Sequence, residues 1–274
     1  MLIFATQIKT EMTILDNIIA HKKEEVERIK ELISQKQLEQ GKLFDRTCFS
    51  ATEFIRRSDK SGIIAEFKRN SPSKGTINEN ATVKDVTTGY ISAGASCLSV
   101  LTDQRFFGGS NSDLKEARSL NDAPILRKDF IIDEYQIIEA KSIGADFILL
   151  IAECLTAKEI KNLATLARSL GMEVLMELNH EEEIAKICPE LHLIGINNRD
   201  LTTFKVDMNR SIELARQIPN DFLKVSESGI NNADDITFLK EHGFEAFLMG
   251  EAFMKTANPG KACKAFIDAA CLIN

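Results

Sequence analysis

Residues 63–75 read IIAEFKRNSPSKG. An apolar, β-branched run stops at a carboxylate, two cations, hydroxyls and a glycine. Successive side chains of a strand face opposite sides, so Glu66 and Lys68 project together. Seven further short β-rich runs come after it: 96–101 (SCLSVL), 124–128 (PILRK), 146–151 (DFILLI), 173–177 (EVLME), 193–197 (LIGIN), 223–226 (LKVS) and 246–249 (AFLM). With 63–68 they make eight. Amphipathic segments lie between them, among them Glu134–Ser142, Ala157–Leu170, Glu181–Ile187, Met208–Gln217 and Ala233–Glu241. Gly144, Gly171 and Gly243 each follow a helical pattern, as C-caps do. Alternation of strand and helix implies parallel pairing. Eight repeats imply closure into a (β/α)8, or TIM, barrel of the α/β class. An open doubly wound sheet would call for a GxGxxG turn after the first strand, and SPSKG is not one.

A chain of 274 residues suits one such barrel, and 44% hydrophobic with 27% charged residues is enough for a substantial core. The expected division is one domain, with residues 1–11 as a frayed tail, 12–60 as an N-terminal helical extension and 61–274 as the barrel. The net charge of −7 argues against general nucleic-acid binding; anions would bind only where cations gather. Cys48, Cys97, Cys154, Cys188, Cys263 and Cys271 form no CxxC pair and are read as buried free thiols of a reducing, cytoplasmic compartment. With the four histidines also scattered, no zinc site is expected. No apolar run has the length of a membrane span. The opening MLIFATQIKTEM has neither a basic n-region nor a cleavage signal, and Met12 would serve as an alternative start.

Before the first strand, Leu15, Ile18, Ile19, Val26, Ile29 and Ile33 recur at three- and four-residue steps with Lys and Glu between them. This predicts an amphipathic helix over 14–33, capped by Thr13 and Asp16. A second helix is expected over about residues 50–58.

In barrels of this kind the strands' C-terminal ends carry the chemistry. The first run ends in Glu66 and Lys68, the third in Lys128 followed by Asp129, and the fifth in Glu177, then Asn179. The sixth ends in Asn197 and runs on to Arg199 and Asp200; with strand geometry persisting that far, Asn197 and Arg199 project together as Glu66 and Lys68 do. Glu227, Ser228 and Gly229 follow the seventh, and Gly250 and Glu251 follow the eighth. Any one such charge can be a solvated rim residue or half of a structural ion pair. Their conjunction on five of the eight ends points to a shared functional mouth. Lys68, Lys128 and Arg199 would form a local cationic pocket, kept charged by Glu66, Glu177 and Glu227. The glycine turns after the seventh and eighth runs are the recurrent phosphate site of this fold, and Ser71 could add a hydroxyl; alternatively these glycines only turn the chain. The Glu251 side chain would have to face away from a phosphate, leaving its backbone N–H to donate.

The stretches IIAEFKRNSPSKGTI, CLSVLTDQRFFGGS, PILRKDFIIDEYQI, ADFILLIA, EVLMELN, IGINNRDL, VSESGI and LMGEAFM together resemble the indole-3-glycerol phosphate synthase family, in order and spacing, from about Ile14 to the last helix. The resemblance implies conversion of a carboxyphenylamino-deoxyribulose phosphate to indole-3-glycerol phosphate, with loss of carbon dioxide and water. It implies a phosphorylated small-molecule substrate and no metal or organic cofactor. It makes Lys128 the general acid at the ketone oxygen, and gives the later proton transfers to Glu177, Glu66 and Lys68. Lys68 would also meet the substrate carboxylate. Asn197, Arg199, Glu227 and Ser228 would line the site. Ser71, Gly229, Gly250 and the Glu251 backbone would hold phosphate, and Phe107 and Phe130 would wall the ring. The residue types suit that chemistry: closure at a ketone needs an acid, and aromatising an indole needs a base and an acid.

Two departures stand out. Many relatives have serine where Glu251 stands, and residues 1–11 lie outside the match. No second barrel follows, so a fusion with the preceding isomerase is not expected. The 14–33 helix would, by resemblance, pack beside the mouth; the plain alternative is a cover for apolar surface. A sister phosphate-binding barrel such as phosphoribosylanthranilate isomerase would want a cysteine at the first strand's end. A silent scaffold would have lost Lys128 or Glu177.

Overall fold

The computed structural model describes residues 13–72, 74–200, 205–270 and 272. The expectations for residues 1–11, Met12 and Cys271 lie outside them. Three helices come first: α1 (Ile14–Leu32), α2 (Gln35–Glu39) and α3 (Ala51–Arg56). Thr13 and Asp16 form a reciprocal capping box that starts α1. The strands are β1 (Ile63–Phe67), β2 (Cys97–Leu101), β3 (Ile125–Lys128), β4 (Phe147–Ile151), β5 (Glu173–Leu178), β6 (Leu193–Asn197), β7 (Leu223–Glu227) and β8 (Ala246–Met249). All pair in parallel, each beside its neighbours in sequence, and β8 closes on β1. Helices α4 (Val83–Ala93), α5 (Gln104–Phe107), α6 (Asn111–Leu120), α7 (Glu134–Ile143), α8 (Ala157–Ser169), α9 (Met208–Ala215), α10 (Ala233–Glu241), α11 (Glu251–Met254) and α12 (Pro259–Ala269) complete the described elements, with 3-10 turns at 152–154 and 181–186.

The alternation seen in the sequence divides the core in two. Ile63, Ala65 and Phe67 of β1 face the helices, in one cluster with Tyr90, Leu114 and Ile137. Ile64 faces inward with Leu126, Leu149, Leu175, Leu193 and Val225. Ala51 and Ile55 of α3 join this inner cluster, and Glu173 at the start of β5 accepts from the Thr52 backbone at 2.9 Å. Thus α3 plugs the strands' N-terminal end. Apolar filling there leaves the polar inward positions of β1, β3, β5 and β7, two residues further along, at the opposite end.

Four details differ from expectation. Lys68 lies just past the end of β1, where Asn70–Ser71 pairs with Gly75–Thr76 in a short hairpin. The predicted second helix is shorter than 50–58. The 181–187 segment is a 3-10 turn, because Glu183 turns back to accept from the backbone N–H of Asn179 and His180 at 2.7 and 3.0 Å. Of the five described cysteines, all free, Cys97 and Cys263 are buried while Cys48, Cys154 and Cys188 are half-buried.

Candidate active site

The inward ends of β1, β3, β5 and β7 each deliver one ionisable group to a common mouth. Glu66 continues the inward row of Ile64, Lys128 that of Leu126, Glu177 that of Leu175, and Glu227 that of Val225. The register sets Glu177 beside Gly195 and Asn197 beside Glu227. Gly195 is required there: a Cβ would overlap the Glu227 carboxylate. Gly250 has a similar part, since a Cβ on it would stand 2.8 Å from that of Glu66.

The mouth holds two sets of ion pairs, one around Lys128 and one between Lys68 and Glu66. The Lys128 ammonium donates to Glu227 at 2.8 Å and to Glu177 at 3.2 Å. The Asn197 amide donates to the other Glu177 oxygen at 3.0 Å. Lys68 and Glu66 pair at 2.6 Å, and the Ser99 hydroxyl donates to Glu66 at 3.4 Å. Phe107 and Phe130, in the segments after β2 and β3, lie with ring centroids 6.0 Å apart and planes 38° apart.

These neighbours set the proton affinities. Burial pushes the Lys128 ammonium down, but Glu227, Glu177 and Glu66 more than reverse this, so it stays protonated. Burial pushes the Glu66 carboxyl up, and Lys68 and Lys128 bring it below the usual carboxylate range. For Glu227 burial, with Glu177 and Glu66 beside it, prevails over Lys128 and raises the carboxyl to about 7.

The turns after β7 and β8 form the rim. Ser228 is the one non-glycine residue with positive φ among the described residues, at 67°, and Gly229 follows at 72°. Backbone held in that region by its surroundings is common at ligand sites. Asn198 donates to the Ser228 carbonyl at 2.7 Å. Gly250 caps α11, and Ser71 sits buried in the hairpin.

Three expectations need correction. The mouth is not a cationic pocket. Each of Lys68, Lys128 and Arg199 has a carboxylate within reach, and Glu66, Glu177, Glu227 and Glu251 match Lys68, Lys74, Lys128 and Arg199 in number. The Glu251 side chain does not face away from the rim: it approaches Arg199 at 3.7 Å and Lys74 at 3.9 Å, drawn by both cations. Nor does strand geometry continue to Arg199, because Asn197 ends β6 and its side chain accepts from the Arg199 N–H at 3.0 Å.

The sequence reading missed Lys22. It is 2% exposed, and its ammonium lies 2.9 Å from Asp103 and 2.9 Å from Asp129, just beyond β2 and β3. Helix α1 therefore rests on the mouth end of the barrel. Its one signal was position: Lys22 falls between Ile18 and Val26 in the buried row of α1. Among the described residues no group of three or more His, Cys, Asp or Glu could hold a metal ion, and no helix is long and apolar enough to cross a membrane.

A parallel eight-stranded barrel with acids and bases at the C-terminal mouth defines a (β/α)8-barrel enzyme. Solved structures agree on the fold alone: 3-hexulose-6-phosphate synthase from Salmonella typhimurium matches with a TM-score of 0.60 at 9% identity, over 77% of this chain and 99% of that one. The family model for indole-3-glycerol phosphate synthase matches residues 15–266, and the chain belongs to that family. Indole-3-glycerol phosphate synthase of Bacteroides thetaiotaomicron is 48% identical over 93% of this chain and 98% of its own. That of Bordetella pertussis is 43% identical over 90% and 96%. Membership makes the chain a decarboxylating lyase of tryptophan biosynthesis.

Proposed function

We propose that this mouth closes 1-(2-carboxyphenylamino)-1-deoxyribulose 5-phosphate to indole-3-glycerol phosphate, and that its side chains divide the proton transfers among them. The aryl carbon bearing the carboxylate attacks the ketone carbon, and the developing alkoxide takes a proton from Lys128. Glu177 and Glu227 keep that ammonium loaded, and an alkoxide is basic enough to take its proton. Carbon dioxide then leaves with its bond electrons returned to the ring. Dehydration comes last: Lys68 protonates the departing hydroxyl, and Glu66 or Glu177 takes a proton from the adjacent carbon. Two protons are delivered and one is recovered, which matches the loss of a carboxylate as neutral carbon dioxide.

At the ring end, Phe107 and Phe130 offer apolar faces and Lys68 an ammonium for the carboxylate. At the other end, Ser71, Ser228, Gly229, Gly250 and the Glu251 N–H hold the phosphate at turns and a helix start, where backbone donors have no intrahelical acceptor. The phosphate competes with the Glu251 carboxylate for Arg199 and Lys74.

The observation that carries this reading is the Lys128 ammonium, held by carboxylates from two other strands on the floor of a mouth with an aromatic wall. The purified protein incubated with the carboxyphenylamino substrate is expected to produce indole fluorescence with equimolar carbon dioxide. Substrate consumption without decarboxylation would refute it.

A further inference from the structure

The ring slot is assembled from two turns distant in sequence, and one buried ammonium joins them. Phe107 belongs to α5, whose N-cap Asp103 accepts from the Phe106 N–H at 2.8 Å. Phe130 follows Asp129, which accepts from the Phe130 N–H at 2.8 Å and, through its other oxygen, from Thr102 at 2.6 Å. Lys22 bonds both aspartates at 2.9 Å and is further tied to Glu25, one turn along α1, at 2.8 Å. The Lys22 ammonium and the Phe130 N–H meet the same Asp129 oxygen. One atom of the N-terminal helix thus sits a single ion-pair contact from each turn that carries a wall of the slot.

Packing alone does not call for a charge here. Position 22 lies in the buried row with Ile18 and Val26, and a leucine would cover the same apolar surface without the cost of burying an ammonium. Buried ionic groups are best attested as devices that fix a particular geometry. The Lys128 ammonium is held separately, by Glu177 and Glu227. A device at Lys22 would therefore act on the slot and leave the proton donor in place.

We propose that Lys22 is a positioning residue for substrate: by tying Asp103 to Asp129 it sets the spacing of Phe107 and Phe130, and so makes α1 part of the aromatic-carboxylate subsite. The inference rests on the proposed ring-closing function of the mouth.

The test is Lys22→Met, which keeps the length of the side chain and removes the charge. KM for the carboxyphenylamino substrate and the inhibition constant of 2-aminobenzoate should each rise about tenfold, while that of inorganic phosphate moves less than about twofold and kcat falls by no more than about threefold. A helix that merely holds the fold together would lower the melting temperature and weaken ring and phosphate binding alike. Asp103→Asn retains the N-cap and removes one of the two anchoring charges, so the same ring-selective loss should appear at about threefold. That variant decides the matter if Lys22→Met does not fold. Unchanged 2-aminobenzoate inhibition in a folded variant, or parallel loss of phosphate inhibition, overturns the proposal. A wild-type protein with neither turnover nor affinity for 2-aminobenzoate would instead overturn the underlying function, and this inference with it.

Discussion

Glu227 carries the least favourable charge in the mouth. It is 2% exposed and close to two other carboxylates, with Lys128 as the cation that offsets them most. Its folded carboxyl is raised to about 7 from an ordinary 4.5, so the folded state binds the proton more tightly than the unfolded chain. The associated stability is fully present below the unfolded value and is lost as pH rises through about 7. Glu227→Gln, which cannot titrate, should therefore gain on wild type between pH ~5 and pH ~8 by about 1–3 kcal/mol in urea denaturation. A constant difference across that range would show that Glu227 ionises normally. Glu251 presents the converse case at the rim. Its carboxylate lies by Arg199 and Lys74, and on the phosphate placement proposed above Glu251→Gln should strengthen inhibition by inorganic phosphate about twofold to tenfold, with the gain shrinking as salt is added. Weaker phosphate inhibition would place that carboxylate outside the phosphate's reach.

At the scale of elements, the strands were legible because short apolar, β-rich runs alternate with helical patterns. The segments just beyond β1 and β6 were not. Lys68 and Arg199 look like strand residues in sequence, yet a hairpin and an Asn197 turn end the regular pairing before them. Lys22 was hidden for another reason. Charges in an amphipathic helix ordinarily mark the wet face, and the aspartates that pair with it belong to loops far along the chain. The small residues within strands carry information too. Gly195 reads as an ordinary apolar strand position, but β6 and β7 can bring Glu227 to Lys128 only if residue 195 has no side chain. Gly195→Ala should lower kcat about tenfold by displacing that carboxylate, and stability by about 1–3 kcal/mol through overpacking. Wild-type kcat in that variant would show that the carboxylate's placement is not needed.

Across the whole molecule, the barrel separates stability from chemistry. Its inner cluster and the α3 plug fill the N-terminal end largely with apolar side chains, and Glu66, Lys128, Glu177 and Glu227 lie at the opposite end. A chain of net charge −7 thus holds Lys128 where carboxylates surround it and keep it protonated. The mouth was legible as a set of strand ends. Its charge balance was not, because which carboxylate meets which cation depends on register and rotamer. The most direct measurement is turnover of the carboxyphenylamino substrate by wild type and Lys128→Met, followed by indole fluorescence alongside melting curves. Wild type should turn over, and the variant should melt like wild type yet lose about 10²–10⁴ in kcat. A folded Lys128→Met variant within about tenfold of wild type would contradict the assignment of Lys128 as the proton donor.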